Sequence, residues 1–171
     1  MKYSDSRRAL IIIDVQASFL NDRNNYIVQN IVQLLNSTKY DLYIEATFHT
    51  EKGSLWDKQQ QWICPESDKT KTIPILAEKL ALLNSIKVYK ETKSVFKGNI
   101  DVLKYLKNHG ITDVHVVGLD TNDCVLATVF EAFDLGFITY ALEDCCESSS
   151  SKELHEYAIK ILRGQDMTQN N

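Results

Sequence analysis

The sequence predicts a three-layer α/β/α fold built on a parallel sheet, and two observations predict it. Apolar runs at residues 9–13, 42–48, 86–89, 114–119 and 137–142 have strand length and are rich in β-branched or aromatic side chains. Between them lie stretches whose apolar residues recur at helical spacing. Strands alternating with helices call for parallel pairing, right-handed crossovers and helices on both faces of the sheet.

Taken in order, the first strand is the run that begins at Ala9 and ends abruptly at Asp14, too short to cross a membrane. Tyr26, Ile27, Ile31, Val32, Leu34 and Leu35 mark an amphipathic helix over about 24–37, and residues 42–48 alternate as a second strand. Residues 50–72 read as a long polar loop carrying Trp56, Trp62, Cys64 and Pro65, and loops of that length in compact domains are usually functional or flexible. Its two tryptophans either wall a pocket or cover the sheet edge. A short helix over 74–84 leads to the third strand. A helix over 100–109 follows, with Gly110 as its C′ stop. The fourth strand runs into a helix ended by Gly136. The fifth strand, a last helix over 150–162 and a polar tail from Gly164 complete the chain. Residues 167–169 offer barely enough for a sixth strand, so five or six strands are expected.

Composition narrows the function. At 171 residues, with 44% hydrophobic and 25% charged residues, the chain suits one domain, 1–171, with a sizeable core. A net charge of −4 and no Lys/Arg block argue against nucleic acid or an anionic membrane as partner and leave small-molecule substrates open. No signal-peptide core or spanning segment is apparent, which points to the cytoplasm. Cys64, Cys124, Cys145 and Cys146 form no CxxC pair, and adjacent Cys145 and Cys146 are poorly placed for a mutual disulfide, so a reducing compartment is the simpler expectation.

The chemistry centres on residues 112–136. Val114 to Leu119 is followed by Asp120, Thr121, Asn122 and Asp123, then by Cys124, Leu126, Ala127, Phe130 and Phe133 on one helical face. This reads as strand, turn, helix, with Cys124 in or beside the first helical turn, where capping residues and outward N–H groups favour a thiolate and an oxyanion. A lone cysteine there is most simply a small buried filler. Two further segments change that reading. Asp14 ends the first strand and is followed by Gln16 and Phe19. Lys90 ends the third and is followed by Ser94, Val95 and Phe96. Carboxyl ends of strands are where open α/β sheets keep their ligands.

Together these segments resemble the isochorismatase-like cysteine hydrolases, which include nicotinamidases and N-carbamoylsarcosine amidases. The matching motifs are Asp14-Val15-Gln16, Lys90 with Ser94-Val95-Phe96, and Gly118-Leu119-Asp120-Thr121 running to Cys124-Val125. The resemblance covers residues 9–149 and implies a Rossmann-like strand order 3-2-1-4-5, often with a sixth, so that Asp14 and Cys124 meet at the topological switch point. It also implies a catalytic triad of Asp14, Lys90 and Cys124. In that mechanism Cys124 attacks the carbonyl of a small amide, carbamoyl or ureido compound, Asp14 moves the protons, and Lys90 balances charge. The backbone N–H groups of Cys124 and Asp120 hold the oxyanion, with a cis peptide at Leu119–Asp120, and many relatives complete the site as homo-oligomers. Gln16, Phe19, Phe48, Trp56 and Phe96 are the expected substrate-binding residues.

Other readings are weaker. The sequence has no Gly-x-Ser-x-Gly, no Arg shortly after Cys124 and no GxGxxG. His115 reads as a satisfied core or edge residue, and His109 and His155 as solvated helix positions. Lys93 reads as a solvated loop charge, and Asp144 as a structural residue tying down the loop after the fifth strand. Nicotinamidases carry an Asp-x-His and a second His around a divalent ion. Here the corresponding residues are Thr47, His49 and Gly53, so no metal or other cofactor is expected, His49 is a hydrogen-bonding residue, and nicotinamide is disfavoured as substrate. The alternative from another class is a non-catalytic small-molecule-binding or thiol-sensing protein that keeps the pocket and a reactive Cys124.

Overall fold

A computed structural model describes residues 6–170. Its strands are β1 (Arg8–Ile13), β2 (Leu42–Phe48), β3 (Ile86–Lys90), β4 (Asp113–Gly118), β5 (Ile138–Cys146) and β6 (Thr168–Gln169). They form one sheet in the order β3-β2-β1-β4-β5-β6, with every pairing parallel. The helices are α1 (Tyr26–Ser37), α2 (Leu55–Gln60), α3 (Pro74–Leu82), α4 (Val102–Asn108), α5 (Leu126–Asp134) and α6 (Lys152–Arg163).

Both faces of the sheet are buried, which is why β1 reads as a continuous apolar run rather than an alternating one. Ala9, Ile11 and Ile13 pack with Val102, Leu106, Val125 and Val129 from α4 and the Cys124 segment. Leu10 and Ile12 pack with Ile27, Ile31, Leu76 and Leu80 from α1 and α3. Among the described residues no helix is long and apolar enough to cross a membrane.

Local chemistry shifts several boundaries. Helix α1 begins later than the periodicity suggests because Asn24 is spent on the preceding turn, accepting from the Asn21 N–H and donating to the Phe19 carbonyl. Helix α4 begins at Val102 because Asp101 is its N-cap, accepting from the Lys104 N–H at 2.9 Å. Ser151 caps α6 in the same way. Within the 50–72 loop, Ser54 caps α2, and a 3₁₀ turn runs over Asp68–Thr70.

The largest difference is β5. Its register with β4 jumps between Val116 and Gly118, so the strand bulges and pairs again at Cys146. The alternation of buried and exposed residues breaks at the bulge, which is why the apolar run seems to end at Leu142. The bulge carries Glu147, Ser148 and Ser149 back to the switch point. Asp144 does not tie this loop: its side chain is exposed and only its carbonyl is used, by Asn30. Glu147 does, with a buried carboxylate that accepts from the Ser148 N–H, Tyr26 and Arg23. The sixth strand forms, as two residues beside β5.

Candidate active site

The switch point between β1 and β4 is built by backbone that few residues tolerate. Gly118 has φ +118°, and a Cβ there would lie 2.0 Å from the Ile13 carbonyl oxygen. Next to it Asp14 takes φ 53°, and the Leu119–Asp120 peptide is cis. The chain then enters a single π-helical turn, Thr121–Val125, before α5. Asp120 precedes this turn without capping it, because both of its carboxylate oxygens are held by the N–H and Oγ of Ser149, each at 2.7 Å.

Three side chains converge on the floor of this crevice. Lys90 Nζ lies 2.7 Å from Asp14 Oδ2, 3.4 Å from Cys124 Sγ and 3.2 Å from the Thr92 carbonyl. β3 is two strands from β1, and the Lys90 side chain spans that distance beneath Phe48, its Nζ 5.1 Å from the ring centroid. The ammonium is completely buried, and the other Asp14 oxygen, Oδ1, is buried without a hydrogen-bond partner. An unpaired buried carboxylate oxygen is costly, which makes it the point where a proton can be received.

The electrostatics refine the sequence expectation. Burial pushes Cys124 well above an ordinary thiol, and the Asp14 charge adds to this while Lys90 opposes it. Desolvation therefore outweighs the favourable helix-end potential and favours the thiol form over the thiolate. Burial also raises Asp14 above the usual carboxylate range, against the pull of Lys90. Burial alone would lower Lys90, but its ion pair with Asp14, joined by Cys124 whenever the sulfur carries charge, outweighs burial, raises Lys90 and holds the ammonium.

Above the floor lies a cavity of about 220 Å³ with Phe19, Phe48, Trp56 and Trp62 as walls and Asp14, Asp120, Asp123 and Cys124 among its polar lining. That is below the roughly 300–1,000 Å³ of sites for drug-sized ligands. The rings pack on one another, Phe48 to Trp56 at 5.3 Å and Phe48 to Trp62 at 5.8 Å between centroids.

A family model described as "Isochorismatase domain" matches residues 8–170. The chain belongs to the isochorismatase family. Solved structures similar to it include an isochorismatase-like hydrolase from Alkaliphilus metalliredigens (21% identity, 96% of this chain and 92% of that chain, TM-score 0.75). Pyrazinamidase of Pyrococcus horikoshii in complex with zinc is similar at 19% identity (96% and 98%, TM-score 0.78). Yeast nicotinamidase is similar at 16% identity (96% and 100%, TM-score 0.81). No curated protein sequence matches the chain.

Within this isochorismatase fold the expected residues divide. Asp14, Lys90 and Cys124 come together, and Phe19, Phe48 and Trp56 line the cavity. Gln16 does not. Its amide is fully buried, donating to the Phe48 and Thr70 carbonyls and accepting from the Phe48 N–H, so it closes the gap where β1 and β2 diverge. Phe96 is also absent from the lining and stacks on Phe137 in the core. Asp123 and Ser149 join the cavity unanticipated, and Trp62 joins it by the first of the two readings open for the loop tryptophans, a pocket wall and not an edge cover. Trp62 falls in a loop whose path the sequence leaves open, Asp123 reads as a capping residue, and Ser149 sits beyond the β5 bulge in a serine run.

One solvated reading changes, and Lys93, exposed as expected, gains a partner. His155 Nδ1 lies 2.8 Å from Thr121 Oγ1 and is mostly buried. Lys93 pairs with Asp123 and sits over the Trp56 ring, 4.6 Å from its centroid. His115 is the satisfied core residue expected, its Nδ1 3.0 Å from the Tyr40 hydroxyl.

The residues present do not fit a metal at the position nicotinamidases use. The His49 ring packs against Tyr89 and lines grooves by β3 rather than the Cys124 cavity, and Thr47 faces the same way. Among the described residues no three His, Cys, Asp or Glu side chains gather as a metal site.

Proposed function

We infer that the protein hydrolyses a C–N bond in a small amide, carbamoyl or ureido compound through a thioester on Cys124. The observation that carries this reading is the buried Lys90 ammonium bridging Asp14 Oδ2 and Cys124 Sγ on the floor of a small cavity. A cluster of ionisable groups with displaced pKa values is expensive to bury and characteristic of chemistry.

The steps follow from which atoms are free. Asp14 Oδ1, the unpaired oxygen, takes the Cys124 proton as Sγ bonds to the substrate carbonyl carbon. Lys90 stays charged and offsets the negative charge that passes from carboxylate to sulfur. The oxyanion is received by the backbone N–H groups of Asp120 and Cys124. Asp14 returns its proton to the departing nitrogen, the C–N bond breaks and the amine leaves. Asp14 then takes a proton from water as the hydroxyl adds to the thioester carbon. The C–S bond breaks, the acid leaves, and the proton on Asp14 returns to sulfur. A carboxyl group above its ordinary range suits this repeated exchange near neutral pH.

The thiol-sensing alternative is disfavoured by the burial of Cys124, which is 8% exposed, since a sensor cysteine is accessible to oxidant. Ammonia release from a panel of small amides, carbamoyl and ureido compounds tests the reading. Turnover by the wild type and none by Cys124→Ala is expected. Wild-type protein that alkylates at Cys124 yet turns over nothing in the panel favours the non-catalytic alternative.

A further inference from the structure

The cavity is acidic as well as aromatic. Asp14, Asp120 and Asp123 line it, and among the described residues no lysine, arginine or histidine does, the Lys90 ammonium being fully buried beneath the floor. The three carboxylates are not equally available. Asp14 Oδ2 is held by Lys90, and both oxygens of Asp120 are held by Ser149. Among the described residues Asp123 is held only by Lys93, whose side chain is 54% exposed and is not part of the cavity wall.

Lys93 shows what this corner accepts. Its ammonium lies between the Asp123 carboxylate and the Trp56 ring, the pairing of charge and π-face that stabilises a cation. Lys93 holds the place weakly, since an exposed ion pair contributes about a factor of five at most to an equilibrium. With Lys93 turned out to solvent, Asp123 and Trp56 present the same surface to a ligand in the cavity. The buried charges elsewhere do not oppose this, because Asp14 and Lys90 balance each other and Asp120 brings no positive charge in either protonation state.

We propose that the cavity selects small amides carrying an ammonium group, protonated or alkylated, which displaces Lys93 and is held by Asp123 against Trp56, and that it rejects carboxylate-bearing amides. The proposal rests on the amide-hydrolase reading for its chemistry and on the lining for its charge preference. The rival is that Lys93 turns inward and receives an anion.

Two measurements separate these and separate both from the hydrolase reading. The first is modification of Cys124 by methanethiosulfonates with trimethylammonioethyl, methyl and sulfonatoethyl groups. Each rate is followed by peptide mass and divided by that reagent's rate with a small free thiol. The wild type should favour the cationic over the anionic reagent by about tenfold or more, the scale of one unit charge acting across a partly desolvated cavity. Asp123→Asn should cut that ratio at least about fivefold, and Lys93→Met should raise it. A ratio at or below one, or one that Asp123→Asn leaves unchanged, overturns the proposal. Because rates are compared within each variant, altered reactivity of Cys124 itself cancels.

The second is ammonia release from matched amides bearing an ammonium, a neutral group or a carboxylate. Highest kcat/KM on the ammonium member supports the proposal, and preference for the carboxylate member overturns it while leaving the hydrolase intact. If no amide is turned over but the modification ratio holds, the hydrolase reading fails and the cation-selective cavity stands.

Discussion

The Tyr40–His115 pair and the Asp14–Lys90–Cys124 cluster are both buried against the same sheet, yet only the first has its bonds made. His115 Nδ1 meets the Tyr40 hydroxyl at 3.0 Å, and the His115 ring packs edge-on against Tyr40 and Tyr140. Burial, then Arg8, lowers His115 to about 4, and burial raises Tyr40 to about 12, so both are neutral over the working range. The other cluster keeps charge in the interior, leaves Asp14 Oδ1 unpaired and opens onto a cavity. A buried polar pair that is neutral and satisfied serves the fold. One that is charged and unfinished is maintained at a cost in stability, which supports placing the proposed chemistry there.

The largest effect should come from the unfinished cluster. Cys124→Ala is expected to lower kcat/KM at least about 10³-fold, as loss of a nucleophile does. Its Tm should stay within a few degrees of wild type, because only one sulfur atom is removed. Activity close to wild type would erase the distinction between the clusters.

Next is Lys90→Met, which keeps volume and removes charge. It leaves the Asp14 carboxylate buried without a cation and should cost about 3–5 kcal/mol in urea unfolding, along with activity. Adding Asp14→Asn should restore much of the stability and none of the activity. If the double variant is as unstable as the single, the cost is packing and not charge.

Gln16→Leu sharpens the comparison on the structural side. Gln16 satisfies three backbone groups of Phe48 and Thr70, so its loss should cost about 1–3 kcal/mol while kcat/KM falls less than about tenfold. An activity loss greater than the stability loss would return Gln16 to the substrate site.

The smallest effect is on pH dependence and belongs to the satisfied pair. His115 has a folded pKa of about 4 against 6.5 unfolded, so the unfolded chain takes up the proton first. Stability should be fully present above pH 6.5 and decline as pH falls toward 4, with a slope of at most about 1.4 kcal/mol per pH unit from this group. Comparing urea midpoints of wild type and His115→Asn across that range isolates it. Equal slopes would mean that His115 is already neutral when unfolded or protonated when folded.

These contrasts also mark what the amino-acid sequence conveys. Strand order, the meeting of Asp14, Lys90 and Cys124 and the cis Leu119–Asp120 peptide follow from the family resemblance that short motifs at strand ends carry. Residue types alone could not convey how burial sets charge. Cys124 sits where a helix end should favour thiolate, and its enclosure by Asp14, Leu119 and the aromatic walls pushes it the other way, toward the thiol. Gln16 lies two positions from Asp14 in the same motif, and only the parting of β1 from β2 decides that its amide faces backbone instead of ligand. Ser149 and Glu147 were hidden by the β5 bulge, since a register jump leaves no periodic trace in a run of polar residues. Lys93 and Asp123 were each read alone and acquire meaning only as a pair across the cavity mouth.

The most direct test of the account is rapid acid quenching of the protein during turnover, followed by peptide mass analysis of the segment holding Cys124. The account predicts an acyl adduct of substrate mass less the amine on Cys124, present in wild type and absent from Cys124→Ala. Steady turnover with no such adduct, together with an adduct on another residue or undiminished turnover by Cys124→Ala, would contradict it.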